Sequence, residues 1–209
     1  SSPYFVDVQI IFCLFSLLYK LFFALYFRRA DNSAKDKGVD FMWCVLKCHP
    51  GKAEEIMSSC RRNIPNDVLR DIFVFTYDRM KRYQGSWHVE RYQMFPDYIF
   101  METQDAAALS EHLKPYREFV QVLEGTDMLW RIQPEEEKFL RELCGQKHHL
   151  EMSEGYIRDG ITHVIRGPLV GMERRIRKID RHKRIASIVI PTGGTERAVP
   201  AGLEITAKS

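Results

Sequence analysis

Most of the signatures that announce an enzyme are missing from this chain of 209 residues. It has no Gly-rich phosphate loop, no nucleophile elbow and no convincing carboxylate pair, which argues against the common nucleotide-dependent and acyl-transfer chemistries. Glu136 and Glu137 read better as charges at a helix start. Cysteine is sparse, at five residues. Cys44, Cys48, His49, Cys60, Cys144, His148 and His149 could suggest zinc, but a Cys-x3-Cys spacing is looser than a zinc knuckle. Packed free thiols in a reducing cytoplasm are the expected state, with His148 and His149 solvated in a polar connector. The expectation is a non-enzyme with no cofactor and no metal. Internal repeats and low-complexity tracts are also missing, and the formal net charge is only +3. Overall charge therefore does not announce a nucleic-acid binder.

The distribution of charge does. Val164-Ile165-Arg166-Gly167-Pro168-Leu169-Val170-Gly171-Met172-Glu173 places a Gly-Pro-Leu-x-Gly turn between apolar runs. Gly167 and Gly171 permit backbone angles that a side chain obstructs, and Pro168 presets the corner. A cationic ladder follows: Arg174, Arg175, Arg177, Lys178, Arg181, His182, Lys183 and Arg184 far outnumber Glu173 and Asp180. Such a surface suits phosphates. Ile176, Ile179, Ile185, Ile188 and Ile190 can supply the core of a small β-barrel. A second basic group, Arg79, Lys81, Arg82, His88 and Arg91, is interleaved with Tyr83, Trp87 and Tyr92, so bases could stack while phosphates pair.

Upstream, residues 41–48 read as a half-buried strand ended by Pro50-Gly51. Ala53, Ile56, Met57 and Cys60 recur at helical spacing over residues 51–62. Residues 71–77 predict a second strand, 78–91 a polar excursion and 92–101 a third strand. A short helix over 106–113 stops before Pro115, and 119–123 supply another strand. A third helix begins at Pro134, with Glu135, Glu136 and Glu137 in its first turn and Phe139, Leu140 and Leu143 as its apolar stripe. It ends by Gly145. This β-α-β-β-α-β order predicts an α+β fold, an antiparallel sheet with helices against it. Residues 146–153 read as a linker, and 154–209 as the barrel, with a flexible 192–195 turn and a last strand over 203–206.

The Gly-Pro-Leu-x-Gly turn with its ladder resembles a KOW motif, the RNA- and protein-binding module that closes the NusG family of transcription factors. Lys178 to Arg184 are most similar to the specialised antiterminator branch called LoaP, although Arg174 stands where the family often has a third glycine. The upstream order resembles the NusG amino-terminal (NGN) domain over residues 41–145. Trp43-Cys44-Val45 matches the family's Trp-x-Val, and Phe95-Pro96-Asp97-Tyr98 matches its Phe-Pro-Gly-Tyr, with Asp97 replacing glycine. The resemblance implies that Trp43, Phe95 and Tyr98 line an apolar surface docking on the clamp helices of RNA polymerase. It also implies that the 78–91 hairpin approaches nucleic acid, non-template DNA included, and that the barrel holds nascent leader RNA in hairpin form. The implied function is processive antitermination of long operons by a monomeric, cytoplasmic bacterial factor. General NusG action through ribosome or Rho, and a ribosome-associated RNA-binding protein with a KOW unit, are the alternatives.

Residues 1–40 stand apart. Over residues 10–27, twelve Ile, Leu and Phe residues would favour membrane insertion by about 4 to 7 kcal/mol, while Lys20 costs about 2.5 to 3.5 kcal/mol. Insertion is marginal. If the segment spans, Arg28-Arg29 predicts a cytoplasmic C-terminal side. With no small-residue cleavage site and Ser1 at the start, the segment reads as a gene start placed too far upstream or a truncated sequence. A membrane anchor, giving a membrane-tethered regulator, and a soluble hydrophobic helix are the alternatives.

Overall fold

The computed structural model describes residues 40–121, 127–191 and 197–208, so the 10–27 run, the 192–195 turn and Leu123 lie outside the described residues. Asp40–Ser209 forms one unit. Its first layer is an antiparallel sheet in the order β2-β5-β1-β6: β1 (Met42–Lys47), β2 (Asp71–Phe73), β5 (Tyr98–Thr103) and β6 (Leu129–Arg131). Cys44, Leu46, Ile72, Ile99 and Met101 are buried and share the face under α1 (Ala53–Asn63) and α2 (Ala106–Leu113). The helical spacing read from sequence is the buried stripe of α1: Ala53, Ile56, Met57 and Cys60. Asp105 caps α2, its carboxylate accepting from the Ala107 and Ala108 amides at 2.9 Å. The other sheet face carries Trp43, Phe73 and Phe100, packed with Phe139, Leu140 and Leu143 of α3 (Pro134–Cys144).

Three expectations change. The strand read over 71–77 is split: Asp71–Phe73 joins the first sheet, while β3 (Thr76–Tyr83) leaves it to pair with β4 (Ser86–Gln93). Phe75, 1% exposed, turns into the core at the break. The polar excursion is thus a two-stranded ribbon, with Gln84 (φ 51°) and Gly85 (φ 78°) forming its tip. Both central angles are positive, as a twist-matched two-residue turn requires. The strand read over 92–101 is likewise broken at 94–97, because Asp97 takes a left-handed φ of 65°. Asp is among the few residues that visit this region readily. Its carbonyl accepts from the Cys48 amide at 2.8 Å, which ties the turn to the end of β1. Finally, residues 114–119 form a 3-10 turn, Val120 makes only a single bridge to Cys48, and the sheet edge is taken by Leu129–Arg131 instead.

The 146–153 segment is packed rather than a solvated connector. Its β7 (His149–Leu150) adds in parallel to β3, and Leu150 is fully buried, contributing about 1.5 to 3 kcal/mol. His148 stacks on Phe73 with ring centroids 3.4 Å apart. His149 is held between Thr76 (2.8 Å) and Asp78 (3.1 Å). Neither histidine is solvated as its polar surroundings suggested, because the aromatic and acidic partners lie far away in sequence.

Beyond it, β8 (Ser153–Arg158), β9 (Ile161–Arg166), β10 (Ile176–Asp180), β11 (Ile185–Ile190) and β12 (Arg197–Lys208) make a five-stranded sheet in the order β10-β11-β12-β8-β9. All its pairs are antiparallel except β12 with β8. Ile188 and Ile190 are buried with Leu169, Ala186, Val199, Ala201 and Leu203, while Ile176, Ile179 and Ile185 are half-buried. The two edge strands are joined by residues 167–175, where the Val164 amide donates to Glu173 at 3.2 Å. Gly167 (φ 94°) has no room for a side chain, since a Cβ there would lie 2.6 Å from the Met152 carbonyl. Gly171 (φ 79°) faces open space, so its glycine is required by angle alone. Between them Leu169, fully buried, donates its amide to Ser153 at 3.2 Å.

Candidate functional site

The expected apolar surface divides. Trp43 is 1% exposed and belongs to the core, with its ring centroid 5.1 Å from Phe73 and 5.6 Å from Phe75. The Arg141 guanidinium lies 4.0 Å over the ring, and Glu137 accepts from the Trp43 amide at 3.0 Å. Trp43 therefore presents no surface to a partner, because α3 covers that end of the sheet. Phe95 and Tyr98 are half-buried. Phe95 packs against Phe75 (5.9 Å) and Phe100 (5.4 Å), and the Tyr98 ring lies 5.7 Å from Lys47 Nζ. Strand register sets Val45 opposite both Phe100 and Trp130, and Lys47 opposite Tyr98. Directly opposed residues share a face, so half-buried Val45 and Trp130 extend the Phe95–Tyr98 patch. Trp130 was missed because a three-residue strand carries no periodic signal.

The hairpin cations also divide. Alternation along β3 and β4 puts Arg79 and Lys81 on one face and Arg82 and Arg91 on the other. On the first face Arg79 lies 5.4 Å from the Tyr92 ring centre, Lys81 is 3.7 Å from Glu90, and Tyr83 stacks on His88 at 3.9 Å. The second face looks toward β12, where the Gly202 backbone approaches Asp78 so closely that a Cβ would lie 2.3 Å from its carbonyl oxygen.

The ladder is more exposed. A bulge between Ile176 and Lys178 breaks the alternation of β10, so Arg177 and Lys178 are both exposed. Arg181, His182 and Lys183 are exposed at the β10–β11 turn, where Asp180 accepts from the Lys183 amide at 2.9 Å. That bond, with Lys183 nearby, holds the Asp180 carboxyl below its ordinary range. Arg174 is exposed in the 3-10 turn Glu173–Arg175. Two members are engaged internally. Arg175 sits 4.6 Å over Phe139 of α3. Arg184 lies 3.8 Å over Trp87, 2.8 Å from Met80 Sδ and 2.7 Å from Glu204.

The NusG family model, described as "Transcription termination factor nusG", matches residues 41–141. Residues 41–141 are thus similar to the NusG family. No curated protein matches the chain. Among solved structures, "Domain interaction in Thermotoga maritima NusG" is similar at 16% identity and a TM-score of 0.44, covering 80% of this chain and 96% of that one.

The Cys44, Cys60 and Cys144 thiols are buried. Burial pushes Cys144 up to about 12 and Cys44 and Cys60 up to about 11. Such thiols are poor nucleophiles and poor metal ligands. Among the described residues no group of three His, Cys, Asp or Glu is arranged to hold a metal, and no helix is long and apolar enough to cross a membrane.

Proposed function

We propose that this chain is a specialised NusG-type elongation factor of the LoaP kind, with residues 154–209 acting as a KOW module. The first sheet would dock on the clamp helices of RNA polymerase through Phe95 and Tyr98, widened by Val45 and Trp130. Binding the closed cleft better than the opened, pause-prone one would disfavour termination. The ladder would hold a nascent leader RNA hairpin, and because that RNA is tethered to the same polymerase, modest affinity suffices. Arg82 and Arg91, with Arg79 and Lys81 on the reverse face, are placed for further nucleic-acid contact, non-template DNA included. The reading makes the protein a cytoplasmic monomer serving long operons, with a membrane partner only if residues 10–27 are an anchor.

The observation that carries this reading is the β10–β11 turn, where Arg177, Lys178, Arg181, His182 and Lys183 are all exposed on one short hairpin. The test is in vitro transcription across a terminator, with and without the gene's native upstream leader. Read-through that needs the leader is expected. Tyr98→Ala should abolish that read-through while RNA binding by the isolated protein survives. Leader-independent read-through would point to general NusG action. One feature favours that second reading: Ile161 (61% exposed), Ile165 (61%) and Val170 (52%) leave apolar surface on and beside the edge strand β9, of the sort a ribosome or Rho contact uses. Ile165→Glu should then reduce activity only under the second reading.

A further inference from the structure

A cleft of about 290 Å³ opens between β4, the 147–152 segment and β9. Arg91, Lys147 and Arg166 reach it from three different elements, with Val89 and Met152 as apolar wall. The Arg91 and Lys147 side chains have no hydrogen-bond or ion-pair partner among the described residues. Arg166 has only a long contact, 3.9 Å, to Glu154, and its side chain is 78% exposed. The acidic lining is weak by comparison. Asp78 is engaged by His149 at 3.1 Å, which leaves Glu151 as the remaining carboxylate. Three cations converging on one cleft repel one another and are stabilised by an anion between them.

The cleft is also continuous with the ladder. Arg91, Val89, Trp87 and Arg82 occupy one face of the hairpin, and Trp87 meets Arg184 at the end of the ladder turn. From Arg91 to Trp87 the strand rises about 13 Å, the length of about four stacked nucleotides at 3.4 Å each. Guanidinium forks suit phosphate oxygens, and the exposed Val89 (54%) offers a sugar or base an apolar rest. We propose that this cleft, walled by Arg91, Lys147 and Arg166, holds the phosphodiester backbone of a single-stranded RNA running on from the ladder. The proposal rests on the RNA-binding reading above and adds a second site to it.

The test uses the full chain and a short fluorescent oligouridine, with anisotropy read over a salt series. Lys147→Gln combined with Arg166→Gln should weaken binding about tenfold and lower the log–log salt slope by about 1.4, near 0.7 per lost phosphate contact. Both side chains are exposed, so the thermal midpoint should not move. Glu151→Gln should tighten binding about twofold by removing the opposing charge, a gain that a merely structural role does not give. An unchanged slope in the double variant, with binding lost on replacing Arg181 and Lys183, overturns the cleft and leaves the ladder reading intact. Equal affinity for adenosine monophosphate and the oligonucleotide also overturns it, in favour of a small-molecule site. No binding of any RNA by the unaltered protein sinks both readings together.

Discussion

In the β3–β4 ribbon, Arg79 lies against Tyr92 and Lys81 faces Glu90, whereas at the β10–β11 turn Arg181 and His182 are exposed to solvent. Both segments look alike as strings of cations, interleaved with aromatics in the ribbon and with isoleucines in the ladder. They differ in what lies across the strand. One face of the ribbon supplies a ring to Arg79 and a carboxylate to Lys81, so the positive potential of that face is spent within the sheet, while Arg82 and Arg91 stand on the other face. At the ladder's turn Asp180 accepts from the Lys183 amide, and the bulge in β10 leaves two successive cations, Arg177 and Lys178, both exposed. Counting charges along a chain therefore measures capacity for phosphate, and cross-strand register decides how much of it is free.

The largest test of that difference is on the ladder. Replacing Arg177, Lys178, Arg181 and Lys183 together with Ala should reduce RNA affinity by a hundredfold or more, on the order expected when several phosphate contacts are lost. The salt slope should flatten in parallel, with the circular dichroism spectrum unchanged. If Arg79→Met weakens RNA binding as much, the two segments are not different and the comparison fails. Arg184→Met comes next in size. It should cost about 1 to 3 kcal/mol in urea denaturation, since a charge-assisted pair and a ring contact are lost, yet change RNA affinity less than threefold. A large RNA effect without a stability effect would put Arg184 among the RNA contacts after all.

The smallest effect concerns acid. Burial against Phe73 lowers the pKa of His148 from its ordinary 6.5. A depressed histidine gives stability that is complete above pH 6.5 and lost as pH falls through the lower folded-state value. Acid should thus loosen the base of the ribbon, and His148→Gln should flatten that part of the stability–pH curve below 6.5. A curve of the same shape in the variant would assign the acid sensitivity elsewhere.

The helices were legible because each carried its own punctuation. Pro134 and three glutamates open α3, and Gly145 closes it with φ 58°. Ala53, Ile56, Met57 and Cys60 gave α1 its stripe. The strand breaks at 74–75 and 94–97 were not legible, since Phe75 and Phe95 look like strand residues until the turns that redirect them are known. Leu129–Arg131 and His149–Leu150 are too short for any pattern and owe their pairing to distant partners. Within the candidate site, the motif around Phe95 and Tyr98 could be read locally. Trp43 could not, because its burial depends on α3, some ninety residues downstream: Glu137 bonds its amide across a separation of 94 residues. The commitment of Arg184 to Trp87 is hidden for the same reason.

β12 is the middle rung of its sheet and the last strand in the sequence of described elements. On a translating ribosome, the four strands of the first sheet are all available once residue 131 has emerged, while the second sheet lacks its centre until residues 197–208 follow. Vectorial synthesis thus separates the two assembly events in time. A nascent chain can complete the Phe95–Tyr98 face while β8 and β11 still wait for the strand that will lie between them. A pause in translation between those points would leave every strand of the early sheet present and the late sheet without its centre.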